Sequence, residues 1–223
     1  MTCMIKAVIF DMDGLLINSE PIWRRVEIKV FSGLGVSINE DNVRATMGMR
    51  VDEVTSYWYE RHAWATPSQD QVAQALIDGV VAGVKADGQP MPGVDHALNI
   101  CSQAGLPLAL ASSSRYAVID AVVDKFGIRD RFKVIRSAQD EPLGKPNPAI
   151  NISTAKELGV LPENCLIFED SIKGVIAAKA AKAYCVAVPA PEDRHQPQFS
   201  IADMVLDSLE DFTEDILNKI NLV

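Results

Sequence analysis

Short, uninterrupted apolar runs alternating with amphipathic helical patterns constrain this 223-residue chain more than any other feature. Ala7-Val8-Ile9-Phe10 is too short for a helix and too uniformly apolar for a half-exposed strand, so it predicts a strand buried on both faces. The runs at 108–111, 133–135, 166–168 and 185–188 read the same way, and 203–206 is a weaker sixth. Between them apolar residues recur at helical spacing: Val94, Leu98, Ile100 and Cys101; Val118, Val122, Val123 and Phe126; Ile150, Thr154, Ala155 and Leu158; Ile172, Val175, Ile176 and Ala180. Buried strands that alternate with helices specify an α/β fold, a mostly parallel sheet with helices on both faces.

The rhythm breaks between Asn18 and Pro92, where no strand-like run occurs. Pro21, Ile22, Trp23, Val26, Val30, Phe31 and Leu34 give one helical face, with Ser19 as its N-cap and Pro21 in its first turn. Val51, Val54, Trp58 and Tyr59 predict a second helix. Ser68 and Gln71 have capping-box spacing ahead of a third, from about Gln69 to Lys85. The chain returns through Gly88-Gln89-Pro90-Met91-Pro92-Gly93, a stiff, turn-rich stretch. The expected organisation is a core made of residues 1–17 and 88–223 and an inserted helical cap, residues 18–87, with a hinge at each crossing.

Composition excludes several classes. A net charge of −9 opposes nucleic acid and anionic membrane, and no segment reaches the ~20 apolar residues of a membrane span. Cys3, Cys101, Cys165 and Cys185 form no C-x-x-C pair and no zinc spacing with histidine; they read as buried thiols in a reducing compartment. With no basic and apolar leader at the N-terminus, the expected location is the cytoplasm, and with no heptad repeat the expected state is a monomer.

The chemistry-bearing residues sit at strand ends. In an open parallel sheet, ligands bind beyond the carboxyl ends of the strands. Asp11 and Asp13 follow the first run, and two carboxylates this close call for a cation; hard oxygen ligands suit Mg²⁺. Ser112, Ser113 and Ser114 end the second run with hydroxyls and N–H groups suited to an anion. Lys145 stands in Gly144-Lys145-Pro146-Asn147-Pro148, a cation on a stiffened loop. Glu169 and Asp170 end the run at 166–168, with Ser171 opening the next helix. Any one of these is commonplace; together they describe a magnesium-assisted phosphoryl-transfer site.

The four motifs in order, D-x-D-G at Asp11–Gly14, Ser112, Lys145 in G-K-P-x-P, and Glu169-Asp170, resemble the phosphatase branch of the haloacid dehalogenase superfamily over nearly the whole chain. The longer string from Phe10 to Trp23, with Leu110–Ser114 and the stretch from Val186 to Glu192, is similar to that superfamily's hexitol and 2-deoxyglucose-6-phosphate phosphatases. The resemblance implies a Rossmann-like core and hydrolysis of small sugar or sugar-alcohol monophosphates such as 2-deoxyglucose 6-phosphate, sorbitol 6-phosphate and mannitol 1-phosphate. It implies Asp11 as nucleophile and Asp13 as general acid and base. Mg²⁺ would be held by Asp11, the Asp13 carbonyl, Asp170 and Glu169. Ser112 and the Ser113 N–H would bind phosphate, with Lys145 neutralising charge and orienting Asp11. Gly14-Leu15-Leu16 resembles the stretch that lets the cap close. Asn18 and Asn147 replace the Asp and the His or Asp usual at their positions.

Family position directs Glu20, Trp23 and Arg50 at the substrate, although Trp23 also suits the cap core. Trp58, Trp64 and the histidines His62, His96 and His195 read as packing or surface residues. Two enzyme alternatives share the motifs. A β-phosphoglucomutase carries a cap histidine ten residues after its second motif aspartate, where this chain has Trp23; a phosphoglycolate phosphatase differs only in substrate. A sugar-phosphate sensor without catalysis is the alternative outside enzymes.

Overall fold

The computed structural model describes residues 4–220, so Cys3 lies outside the described residues. Six parallel strands form one sheet in the order β3-β2-β1-β4-β5-β6. They are β1 (Ala7–Phe10), β2 (Leu108–Ser112), β3 (Val134–Ser137), β4 (Cys165–Glu169), β5 (Tyr184–Ala187) and the two-residue β6 (Met204–Val205). β1 is central, and all four of its residues are buried, as its unbroken apolar run requires. Phe10 pairs with Leu110 on one side and Phe168 on the other, so β2 and β4 run one or two residues past the end of β1. The chain runs outward from β1 through β2 to β3, then crosses to β4 on the opposite side. The crevice opened by that reversal lies beyond the carboxyl end of β1, where Asp11 begins.

Helices α5 (Val94–Gln103), α6 (Tyr116–Phe126), α7 (Ala149–Leu158), α8 (Ile172–Ala180) and α9 (Glu214–Ile220) cover the sheet. Ile176, expected in the buried stripe of α8, is exposed, because that short helix buries its small residues Gly174, Ala177 and Ala178 instead.

The insert is all-helical: α1 (Glu20–Gly33), α2 (Glu40–Arg44), α3 (Val51–Arg61) and α4 (Gln69–Asp87), with no sheet strand among the described residues between 18 and 87. The Ser68–Gln71 capping box opens α4 as its spacing predicts. α1 and α4 approach closely because Gly79 and Gly83 face Val26 and Ile22; a Cβ at either glycine would come within 2.7 Å of those side chains. Trp58 and Trp64 pack around Phe31, both buried as the pattern predicts. The two crossings run side by side, with the Asn18 N–H on the Gln89 carbonyl (3.0 Å) and the Met91 N–H on that of Leu16 (3.1 Å). Ser19 departs from expectation. Its hydroxyl makes no cap to α1 and donates to Asp13 instead; its backbone has helical angles (φ -89°, ψ -17°) where a capping serine is extended.

Candidate active site

Four consecutive segments at the carboxyl edge of the sheet deliver the predicted groups to one place. The Asp11 N–H continues the ladder onto the Phe168 carbonyl (3.0 Å), which fixes the first carboxylate at the strand end. Met12 is buried beneath the site, and Gly14, at φ +78°, turns the chain away. That glycine is required twice over, because a Cβ there would lie 2.0 Å from Asp170 Oδ2. Gly174 on α8 plays the same part for Glu169, whose Oε2 would stand 1.8 Å from an added Cβ.

Lys145 is buried at the centre. Its Nζ donates to Asp11 Oδ1 and Glu169 Oε1, each at 2.6 Å, and to the Ala111 carbonyl at 3.3 Å. Burial alone pushes its ammonium toward neutrality, but the two carboxylates outweigh burial and hold it charged. One carboxylate oxygen each from Asp11, Glu169 and Asp170 lie within 4.8 Å of one another. Glu169 Oε2 is buried without a hydrogen-bond partner among the described residues. An orphaned, buried carboxylate oxygen beside two more carboxylates fits a hard divalent cation, and Mg²⁺ satisfies that donor set.

The electrostatics agree. Burial, reinforced by Asp13 and opposed by Lys145, raises Asp11 above the usual carboxylate range. Burial pushes Glu169 up to about 8, and burial with Asp11 and Glu169 nearby raises Asp170 well above its ordinary value. A carboxyl whose pKa rises on folding contributes its full stability below the unfolded value near 4, and that contribution is lost as pH climbs through the folded one. The metal-free protein is therefore expected to melt at falling temperature between about pH 4.5 and 8, with Mg²⁺ restoring stability most at the upper end. Thermal denaturation in chelator and in Mg²⁺ checks this; equal magnesium shifts at pH 5 and pH 8 would contradict it.

Asp13 is turned away from that cluster. Its Oδ1 accepts from the Ser19 hydroxyl (2.7 Å) and the Trp23 indole N–H (3.0 Å), and its Oδ2 from the hydroxyls of Ser112 (3.2 Å) and Ser114 (2.8 Å). Trp23 thus does both things open to it: it faces the site and packs against the apolar cluster. Ser112 is wholly buried, and the Ser113 hydroxyl donates to the Gly48 carbonyl of the cap (3.1 Å).

The cap is seated on the core through its loop from Thr46 to Arg50. Lys173 Nζ donates to the Met47 carbonyl (2.9 Å), and the Gly144 N–H donates to Glu53 (3.2 Å). Here one expectation needs correction. Arg50 does not line the cavity: its guanidinium donates to the carbonyls of Ala138 (3.2 Å) and Glu141 (2.8 Å) and pairs with Asp52, so it clasps cap to core. Its sequence position places it on the loop over the site; the acceptors on the core decide which way its guanidinium turns.

Between cap and core lies a cavity of about 120 Å³, reached by Asp11, Asp13, Lys145 and Asp170 from below and by Glu20 and Trp23 from above. None of the three histidines lines it. Among the lining residues not singled out from the sequence are Glu27, Arg24 and Arg44. Glu27 was legible in principle, since Glu20, Trp23, Arg24 and Glu27 follow the i, i+3, i+4, i+7 spacing of one helical face.

A profile of the haloacid dehalogenase-like hydrolases matches residues 5–182. The chain belongs to the haloacid dehalogenase-like hydrolases. Hexitol phosphatase B of Escherichia coli K12 is 41% identical over 215 residues, covering 96% of this chain and 97% of that protein. Among solved structures, CbbY of Rhodobacter sphaeroides in complex with phosphate superposes with a TM-score of 0.84 at 29% identity, over 93% of this chain and 96% of that one. A β-phosphoglucomutase of Clostridium difficile reaches 0.86 at 24% identity, over 98% and 97%, a likeness of fold alone. With the family match, the likeness to a phosphatase over nearly the whole chain and this carboxylate cluster, the chain is an Mg²⁺-dependent phosphatase acting on small phosphorylated compounds through an aspartyl-phosphoenzyme. No helix among the described residues is long and apolar enough to cross a membrane.

Proposed function

We propose that the protein hydrolyses the monophosphates of small sugars and sugar alcohols. The observation that carries this reading is the far end of the cavity, where the cations already have carboxylate partners. Arg24 pairs with Glu20 and with Glu40 (2.9 Å); Arg44 lies 3.6 Å from Glu192 and 3.9 Å from Asp193. A second anionic group on the substrate's tail meets acidic side chains there and no uncommitted cation among the described lining residues. A neutral tail rich in hydroxyls meets both donors and acceptors. The likeness to hexitol phosphatase B supports the same substrate class. The cap, residues 18–87, chooses the substrate, and residues 1–17 with 88–223 supply the chemistry.

In this reading a carboxylate oxygen of Asp11 attacks phosphorus, and the ester P–O bond breaks as Asp13 protonates the departing alcohol oxygen. An aspartyl-phosphate remains. Asp13 then takes a proton from a water molecule whose oxygen attacks phosphorus, the bond from phosphorus to Asp11 breaks, and inorganic phosphate leaves. To serve as acid, Asp13 must exchange one of its present donors for the leaving oxygen. Lys145 holds the attacking carboxylate and offsets the charge gathered on the phosphoryl group, while the Ser112 hydroxyl and the Ser113 N–H bind phosphate oxygens. Asp11, Asp170, Glu169 and the Asp13 carbonyl would hold Mg²⁺, which would supply further charge neutralisation.

Trp23 favours hydrolysis over phosphoryl transfer between sugar positions. Its indole is neutral and has one N–H, already given to Asp13, so it offers no charge-assisted hold on a reorienting sugar phosphate. The test incubates the protein and Mg²⁺ separately with sorbitol 6-phosphate, mannitol 1-phosphate, 2-deoxyglucose 6-phosphate, β-glucose 1-phosphate and phosphoglycolate, following free phosphate and phosphosugar isomers. Phosphate should accumulate from the first three. Rapid conversion of β-glucose 1-phosphate to glucose 6-phosphate with little phosphate released would assign a mutase, and release confined to phosphoglycolate would overturn the substrate class.

A further inference from the structure

Glu27 has no part in the chemistry above, yet it is the most conspicuous side chain of the cap. It is 4% exposed, it lines the cavity, and it has no cationic partner among the described residues. The Thr46 hydroxyl stands 3.4 Å from Oε2, but its single proton is committed to the Val43 carbonyl at 2.9 Å. The same cavity wall also holds Val43, Val51 and Val54, together with the paired charges of Arg24, Glu20 and Glu40. A buried carboxyl without a counter-charge opposes folding. Burial pushes it up to about 8, so near neutral pH it holds its proton and can both donate and accept a hydrogen bond.

The helix fixes where this group acts. Trp23 marks the catalytic end, with its indole on Asp13. Glu27 stands four residues further on the same face of α1, which is about 6 Å along the axis. A two-carbon tail leaving the phosphate falls short of that point, and a chain of four to six carbons bearing hydroxyls reaches it. An unpartnered oxygen that can also donate suits an alcohol, which likewise donates and accepts.

We infer that Glu27 is the specificity-determining residue of this phosphatase, reading a hydroxyl of the substrate's polyol chain at the end remote from the phosphate. This rests on the sugar-phosphate reading and adds to it the residue that makes the choice.

The test compares kcat/KM for sorbitol 6-phosphate with kcat/KM for phenyl phosphate, which has no hydroxyl tail. In Glu27→Leu the ratio of the two should fall about 10- to 100-fold, the worth of one hydrogen bond to a buried carboxyl. In Glu27→Gln, which keeps a donor and an acceptor, it should stay within about threefold. A Leu variant that slows both esters equally would show that Glu27 only supports the cap and would overturn the inference. An unchanged ratio, with the unaltered protein still preferring the hexitol ester, overturns it too and leaves the sugar-phosphate reading standing. If the unaltered protein shows no preference for the hexitol ester, both fall. Should Glu27→Leu not fold, monodeoxy hexitol 6-phosphates put the question to the unaltered protein. One of them should lose about 10- to 100-fold in kcat/KM, and equal values across the series would refute the inference.

Discussion

Replacing Asp11 by Asn is expected to lower turnover of every phosphate monoester by at least about 10⁴-fold and to leave the fold intact. The amide cannot carry the phosphoryl group, so the loss is of the covalent step itself. The amide oxygen still accepts from Lys145 Nζ, which lies 2.6 Å from Oδ1 of the native carboxylate. The substitution also removes one of three crowded carboxylates whose ionised forms burial opposes. The Asn variant should therefore melt no lower than the native protein in chelator at pH 8, and its stabilisation by Mg²⁺ should shrink. Phosphate release and thermal denaturation, measured on the same preparation, separate the two effects. A variant that keeps a hundredth of native turnover would mean that another group attacks phosphorus.

Replacing Lys145 by Met attacks the same centre from the opposite sign and combines lost activity with lost stability. Lys145 is 4% exposed and its ammonium bridges two buried carboxylates, so its removal leaves both without a counter-charge. Breaking a buried pair in this way costs about 3–5 kcal/mol. Turnover should fall by about 10²–10³, the usual effect of removing one donor at developing negative charge. The pH dependence identifies the cause. Lys145 is what lowers the pKa of Asp11 and of Glu169 against burial, so without it both rise further. Stability then survives where they are protonated and is lost as pH climbs, making the deficit larger at pH 8 than at pH 5. Urea denaturation of native and variant protein at the two pH values measures this. Equal deficits would place the contribution of Lys145 in the packing of its stem instead of its charge.

The sheet was legible because a strand buried on both faces has no polar residue to interrupt it, and all six runs coincide with strands to within two residues. The sixth strand is only two residues long, as weak as its pattern. The catalytic edge was legible for a related reason: carboxylates, hydroxyls and a lysine at successive strand ends can only meet at the carboxyl edge of a parallel sheet. Short α2 and α9 escaped notice, since five and seven residues carry too little periodicity to stand out.

What the sequence determined by itself was the alternation that makes the core, the strand-free insert that makes the cap, and the identity of the groups around Asp11. Only the tertiary structure decided where long side chains on the cap point. Arg50 turns to carbonyls at Ala138 and Glu141, and Ser19 gives its hydroxyl to Asp13. Glu27 takes a place in the cavity wall that its helical position allows but does not demand. The reason is physical. A strand or helix fixes a side chain's face through local geometry, while hydrogen-bond partners remote in sequence choose among the directions that face allows, and those partners exist only once cap and core have met.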